Sequence, residues 1–86
     1  MVYRIEFEYI EGRDQNIRWL TCDAETGLIT DIGPSGRETY ADGDHFVDLE
    51  TLETTKHIGC RWSAGVGAFQ WPVKTVALDG VVVARH

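Results

Sequence analysis

Apolar and polar residues alternate near the start of the chain: Tyr3, Ile5, Phe7 and Tyr9 are separated by Arg4, Glu6 and Glu8. A period of two puts the aromatic and aliphatic set on one face of a half-buried β-strand over 3–9. The polar run Glu11-Gly12-Arg13-Asp14-Gln15-Asn16 reads as a turn, and Ile17 to Cys22 as a second strand. Asp23-Ala24-Glu25-Thr26-Gly27 then predicts a hairpin loop. Asp opens such a turn by accepting backbone hydrogen bonds, and Gly supplies the left-handed position. Leu28 to Ile32 returns as a third strand.

Gly33-Pro34-Ser35-Gly36 breaks the pattern, Arg37 to Tyr40 reads as a short strand, and Ala41-Asp42-Gly43-Asp44 as a turn. Two readings compete from Phe46 to Thr55. Asp48 suits the N-cap of a short helix with Leu49 and Leu52 on one face, whereas Thr51, Thr54 and Thr55 favour extended backbone. The balance leans to one or two helical turns. Lys56 to Trp62 alternates again, with Ile58, Cys60 and Trp62 on one face. Ser63 to Gly67 is glycine-rich, a flexible stretch or a bulge, and Phe69-Gln70-Trp71 reads as a strand ending at Pro72.

The last segment carries the strongest local signal. Val73 to Leu78 and Val81 to Arg85 flank Asp79-Gly80, and Asp-Gly between apolar runs predicts a type I′ hairpin because both central residues must take positive φ. The near-continuous apolar character of both arms predicts burial on both faces. The expected architecture over 1–86 is a single, mainly β domain. It is an antiparallel sheet of about six to eight short strands closing into a barrel or sandwich. A short helix near 48–55 would make it α+β.

The strand–Asp23-Ala24-Glu25-Thr26-Gly27–strand stretch resembles the terminal hairpin of PepSY domains. That family sets a helix before the hairpin, whereas residues 1–16 here read as strand and turn. The resemblance therefore implies turn chemistry and no wider fold.

With 86 residues there is room for one small core, and with 43% apolar and 26% charged residues the composition is that of a globular chain. No apolar run approaches the ~20 residues that span a bilayer, and Met1-Val-Tyr-Arg-Ile-Glu lacks the basic-then-apolar pattern of a secretory signal. Cys22 and Cys60 fall in predicted strands, where a single pair reads as two buried thiols rather than a disulfide. These features together predict a reducing, cytoplasmic setting.

Charge changes the picture most. The net charge is −6, and it is unevenly spread. Between residues 38 and 55 stand Glu38, Asp42, Asp44, Asp48, Glu50 and Glu53, with no lysine or arginine. From 56 to 86 a single carboxylate, Asp79, faces Lys56, Arg61, Lys74 and Arg85, a local balance of +3. Such a field repels nucleic-acid backbone and attracts basic surfaces. The acidic run reads as a docking face for a basic protein surface or as a solvated loop that keeps a small domain soluble.

Candidate chemistry thins out on inspection. Asp42, Asp44, Asp48, Glu50 and Glu53 fall at positions 1, 3, 7, 9 and 12 of an EF-hand count. Phe46 and Val47, however, occupy the places that need an oxygen ligand and glycine. His57-Ile-Gly-Cys60 with Cys22 leaves a zinc site one ligand short, and on a strand His57 and Cys60 point to opposite faces. Neither Cys22, Cys60, Ser35 nor Ser63 stands in a nucleophile motif, and Gly65-Val66-Gly67 lacks the residues of a phosphate loop. No catalytic residue, cofactor or metal is assigned, and the chain reads as a non-enzyme.

The expectation that follows is an acidic protein-binding module. Asp42, Asp44, Asp48, Glu50 and Glu53 would carry the electrostatics, and Tyr40 and Phe46 would serve as apolar anchors. Its partner would be a basic protein surface, such as a nucleic-acid-binding groove. Phage-encoded anti-CRISPR proteins and toxin-immunity proteins share this physical description. Two alternatives stay open. One is a structural or assembly subunit that self-associates, as a homodimer or larger, through sheet edges or the 56–86 surface. The other is a small-ligand-binding β domain using Trp62, Phe69 or Trp71, with Trp62 assigned to the core and Trp71, beside Pro72, to the surface.

Overall fold

The computed structural model describes residues 1–11, 14–34, 44–54, 57–62 and 68–86. In chain order the elements are β1 (Val2–Glu11), β2 (Asp14–Asp23), β3 (Ile29–Gly33), β4 (His45–Asp48), α1 (Leu49–Thr54), β5 (His57–Trp62), β6 (Ala68–Leu78) and β7 (Val81–Arg85). The expected short strand at 37–40, the turn residues 41–43 and the glycine-rich 63–67 lie outside the described residues.

β1 and β2 pair in one unbroken antiparallel register, from Val2 opposite Asp23 to Glu11 opposite Asp14. Glu11 and Asp14 to Asn16, expected within a turn, are strand residues, and Gly12 and Arg13 lie outside the described residues. Strand pairing continues through Glu11 and resumes at Asp14, because an antiparallel ladder satisfies every second backbone pair whatever the side chains. Asp23 opens the next hairpin as expected: its Oδ1 accepts from the amides of Glu25 at 2.8 Å and Thr26 at 3.0 Å.

The antiparallel sheet runs β3-β2-β1-β6-β5-β4 and curls into a half-barrel. Its ends touch at one seam, where Leu28 bridges Phe46 and the Val47 amide donates to the Gly27 carbonyl at 2.7 Å. Gly27 has φ +76°, and a Cβ there would run into the Val47 carbonyl, so the seam requires glycine.

β6 is the strand around which the sheet bends. Ala68 to Pro72 pair with β5, Val73 to Leu78 with β1, and Thr75 to Leu78 with β7. Pro72 does not end the strand. It sits opposite His57 at the switch between the two pairings, a place where a missing N–H disturbs the ladder least. One residue on, the register slips so that Glu6 faces Thr75 and Phe7 faces Val73, leaving Lys74 as the extra residue of a bulge. The bulge resets the alternation, which is why Trp71, Val73 and Val76 all point inward.

The core fills the concave face. Ile5, Phe7, Leu20, Cys22, Ile58, Cys60 and Val76 are essentially fully buried, with Ile29, Val47, Leu52, Trp71 and Val73 around them. Each Ile, Leu or Phe so placed contributes about 1.5–3 kcal/mol of burial free energy. Trp71 belongs to this core, contrary to the surface position its neighbour Pro72 suggested. It is 9% exposed and stacks on Phe7 with ring centroids 4.9 Å apart and planes 12° from parallel.

The Asp-Gly turn forms as predicted, with φ +47° at Asp79 and +85° at Gly80. Burial of the hairpin on both faces does not hold. β7 pairs with β6 and, among the described residues, with no other strand. Val81, Val82 and Val83 are consequently 66%, 47% and 56% exposed.

Candidate protein-binding surface

The expected acidic face centres on β4 and the first turn of α1. Along β4, His45 and Val47 turn inward, while Phe46 is half-buried and Asp48 exposed. Burial lowers the pKa of His45, favouring the neutral ring, although the nearby Asp44 carboxylate works the other way. Asp44 is exposed just before the strand, and Glu50 is exposed at the start of the helix.

Asp48 has a structural duty as well. Its Oδ1 accepts from the Glu50 amide at 2.9 Å and from the Thr51 amide at 3.3 Å, the N-cap geometry that the sequence predicted. The Thr51 hydroxyl and amide, joined by the Glu50 amide, hold the Asp48 carboxyl below its usual range, and Arg61 adds a smaller pull. Leu52, buried, and Leu49, half-buried, pin the short helix to the core. The apolar pair thus decides the contest with the threonines, because burial outweighs a weak local preference.

Pairing with β5 adds residues that the sequence did not place here. Phe46 lies opposite Arg61 and Asp48 opposite Gly59, with Gln70 of β6 beyond Gly59. The Arg61 guanidinium lies over the Phe46 ring, 6.0 Å from its centroid. A Cβ on Gly59 would come 2.8 Å from the Asp48 Cβ, so the glycine makes room for the capping side chain. His57 and Arg61 are exposed, as the inward placement of Ile58 and Cys60 requires by alternation. That alternation was a usable signal for their face; the β4–β5 pairing was not visible in the sequence.

Among the described residues the surface therefore carries Asp44, Asp48 and Glu50, with Arg61 set against Phe46. Phe46 and Asp48 stand on β4, Asp44 just before it and Glu50 in the first turn of α1. Glu53 lies in α1 with its side chain outside the described residues, and Tyr40 and Asp42 also lie outside them.

Other candidate chemistry separates in space. Cys22 and Cys60 are free and buried. Burial pushes both thiols up to about 12, with the charges of Asp23 and Cys60 adding to the effect at Cys22. Neither is a thiolate near neutral pH, the form nucleophilic chemistry needs. His57 is exposed on the opposite face of β5 from Cys60. Among the described residues no three His, Cys, Asp or Glu side chains converge on a metal position. Buried Trp71 offers no ring for a ligand to stack on, and the side chains of Trp62 and Phe69 lie outside the described residues. Among the described residues no helix is long and apolar enough to cross a membrane. Comparison with protein-family models, with curated proteins and with solved structures finds no match to this chain.

Proposed function

We propose that the chain is a non-enzymatic acidic protein-binding module that docks on a basic protein surface, acting as an inhibitor of the anti-CRISPR or immunity type against a nucleic-acid-handling target. The observation that carries this reading is the exposure of Asp44 just before β4, Asp48 at the end of β4 and Glu50 in the first turn of α1. Asp48 on β4 and Glu50 on α1 are set by regular backbone, and a groove that binds backbone phosphates requires a defined spacing of whatever replaces them. Half-buried Phe46 offers an apolar contact at the middle of the patch, and Arg61 gives the face a polarity that a mispaired partner would meet as repulsion.

Electrostatic steering gives the test. Reversing Asp44 and Glu50 together (Asp44→Lys, Glu50→Lys) leaves the Asp48 cap intact and moves the formal net charge from −6 to −2. Association with the partner recovered from the native host should slow by about tenfold at low salt. Between low salt and ~0.15 M, where the Debye length is ~8 Å, the variant should lose much less of its rate than the wild type. An unchanged on-rate and salt slope would remove the acidic face from the account.

A further inference from the structure

We infer that the seam joining the two ends of the sheet is an acid-sensitive latch, opened when the imidazole of His45 takes up a proton. This goes beyond the acidic docking face and does not rest on it.

The latch is short. β4 has four residues, and among the described residues its pairing across the seam is the isolated bridge of Phe46 to Leu28, beside the hydrogen bond from the Val47 amide to the Gly27 carbonyl. On its other side β4 is tied more extensively, with four consecutive positions from His45 to Asp48 paired to β5. The seam is therefore where the sheet opens at least cost, because few contacts break there and the strand keeps its other partner.

His45 stands at this seam. It precedes Phe46, and continuing the antiparallel count by one position sets it opposite Ile29, the first residue of β3. Its side chain turns inward with Val47 and is 3% exposed, the one polar side chain among the buried described residues. Opening the seam is the shortest route by which this imidazole reaches water.

The elements packed on β4 are β3, α1 and β5. β3 turns Ile29 inward and leaves Asp31 exposed, and α1 turns Leu52 inward and leaves Glu50 exposed. β5 turns Ile58 and Cys60 inward and leaves His57 and Arg61 exposed. Burial pushes the thiols of Cys60 and of Cys22, which pairs with Ile29, up to about 12, so both are neutral near pH 7. Asp44, exposed just before the strand, favours the charged ring, but burial outweighs it and holds His45 below its ordinary pKa.

Linkage fixes the direction. In the open form the hydrated ring titrates near the ordinary value of about 6.5. As pH falls through that value, the open form binds a proton that the closed form does not. The open fraction then rises by up to about tenfold per pH unit, until the lower value of the closed form is reached. The carboxyls of Asp23 and Asp48, both held below their usual range, titrate beneath this window.

Hydrogen exchange at the Val47 amide, corrected for the intrinsic rate at each pH, reads the open fraction. The amide of Leu20, a residue paired with both β1 and β3, serves as the reference for global unfolding. Val47 should be less protected than Leu20, with a shallower urea dependence. Its protection should fall at least about threefold between about pH 7.5 and 5.5. In His45→Gln, which has no proton to take up in this range, Val47 protection should stay constant. The wild-type His45 ring signal should titrate below about 6.5, a readout that needs no variant. Val47 protection independent of pH in the wild type, or equal to that of Leu20 with the same urea dependence, overturns the inference. So does a wild-type ring titrating at or above about 6.5, or a pH response that His45→Gln retains.

Discussion

Replacing Trp71 by alanine removes the largest ring of the concave core, and the stability lost measures how far that ring is buried. At a solvent-facing site, Trp71→Ala would alter stability by within about 0.5 kcal/mol. In the structure the indole is 9% exposed and stacked on Phe7 in the concave core. Truncating a buried Trp to Ala costs about 3–5 kcal/mol. A chain of this length has roughly 4–13 kcal/mol in total at ~0.05–0.15 kcal/mol per residue, so the variant should sit close to unfolding. The milder pair Phe7→Leu and Trp71→Leu permits a double-mutant cycle, in which the stacked geometry should give a coupling of about 0.5–1.5 kcal/mol. Urea denaturation followed by far-ultraviolet circular dichroism reads Trp71→Ala and the four members of the cycle, with no reliance on the fluorophore being removed. A Trp71→Ala loss below about 1 kcal/mol, or a cycle that closes to zero, would refute the placement of the ring against Phe7.

Two further predictions concern the seam and its cap. Asp48→Asn keeps an acceptor at the N-cap but removes the titration. Because hydrogen bonds lower the folded-state pKa of Asp48, its contribution is present above the unfolded value of about 3.9 and fades as pH falls through the lower folded value. Denaturation curves should therefore show the Asp48→Asn variant near wild-type stability at neutral pH and with a flatter acid limb; parallel limbs would contradict the cap. Gly27→Ala forces a non-glycine residue to φ +76° against the Val47 carbonyl and should cost at least about 1–2 kcal/mol. Hydrogen exchange at the Val47 amide, which donates to Gly27, should accelerate, and unchanged protection would show the ends of the sheet are not joined there.

Local chemistry made much of the fold legible. The alternation of Tyr3, Ile5 and Phe7, the Asp23 turn, the Asp79-Gly80 hairpin and the Asp48 cap all depend on residues within a few positions of one another, and each forms as its sequence predicts. The failures lie where partners distant in sequence decide. Trp71 is buried because the Lys74 bulge and the β1 pairing turn it onto Phe7, a contact across more than sixty positions that no local pattern carries. The valines of β7 are exposed because, among the described residues, no strand pairs beyond them, and apolar runs cannot announce whether a strand is central or at the edge.

The acidic face was legible as a run of carboxylates but not as a surface. Its extent depends on Phe46 and Asp48 facing outward opposite Arg61 and Gly59, which only the strand register decides. Arg61, counted in the sequence as part of a separate basic third, stands within the acidic patch itself. The division into two oppositely charged ends is thus softened at β4–β5, where both signs share one face. Specific docking of a protein partner needs such a mixed pattern more than it needs bulk charge.

Parallel affinity capture from the native host tests the central claim most directly, with wild type and the Asp44→Lys, Glu50→Lys protein as baits at low and at physiological salt. The account predicts that wild type retains a basic protein which the reversed variant loses, and that raised salt weakens the capture. The same protein held equally by both baits, insensitive to salt, would contradict it.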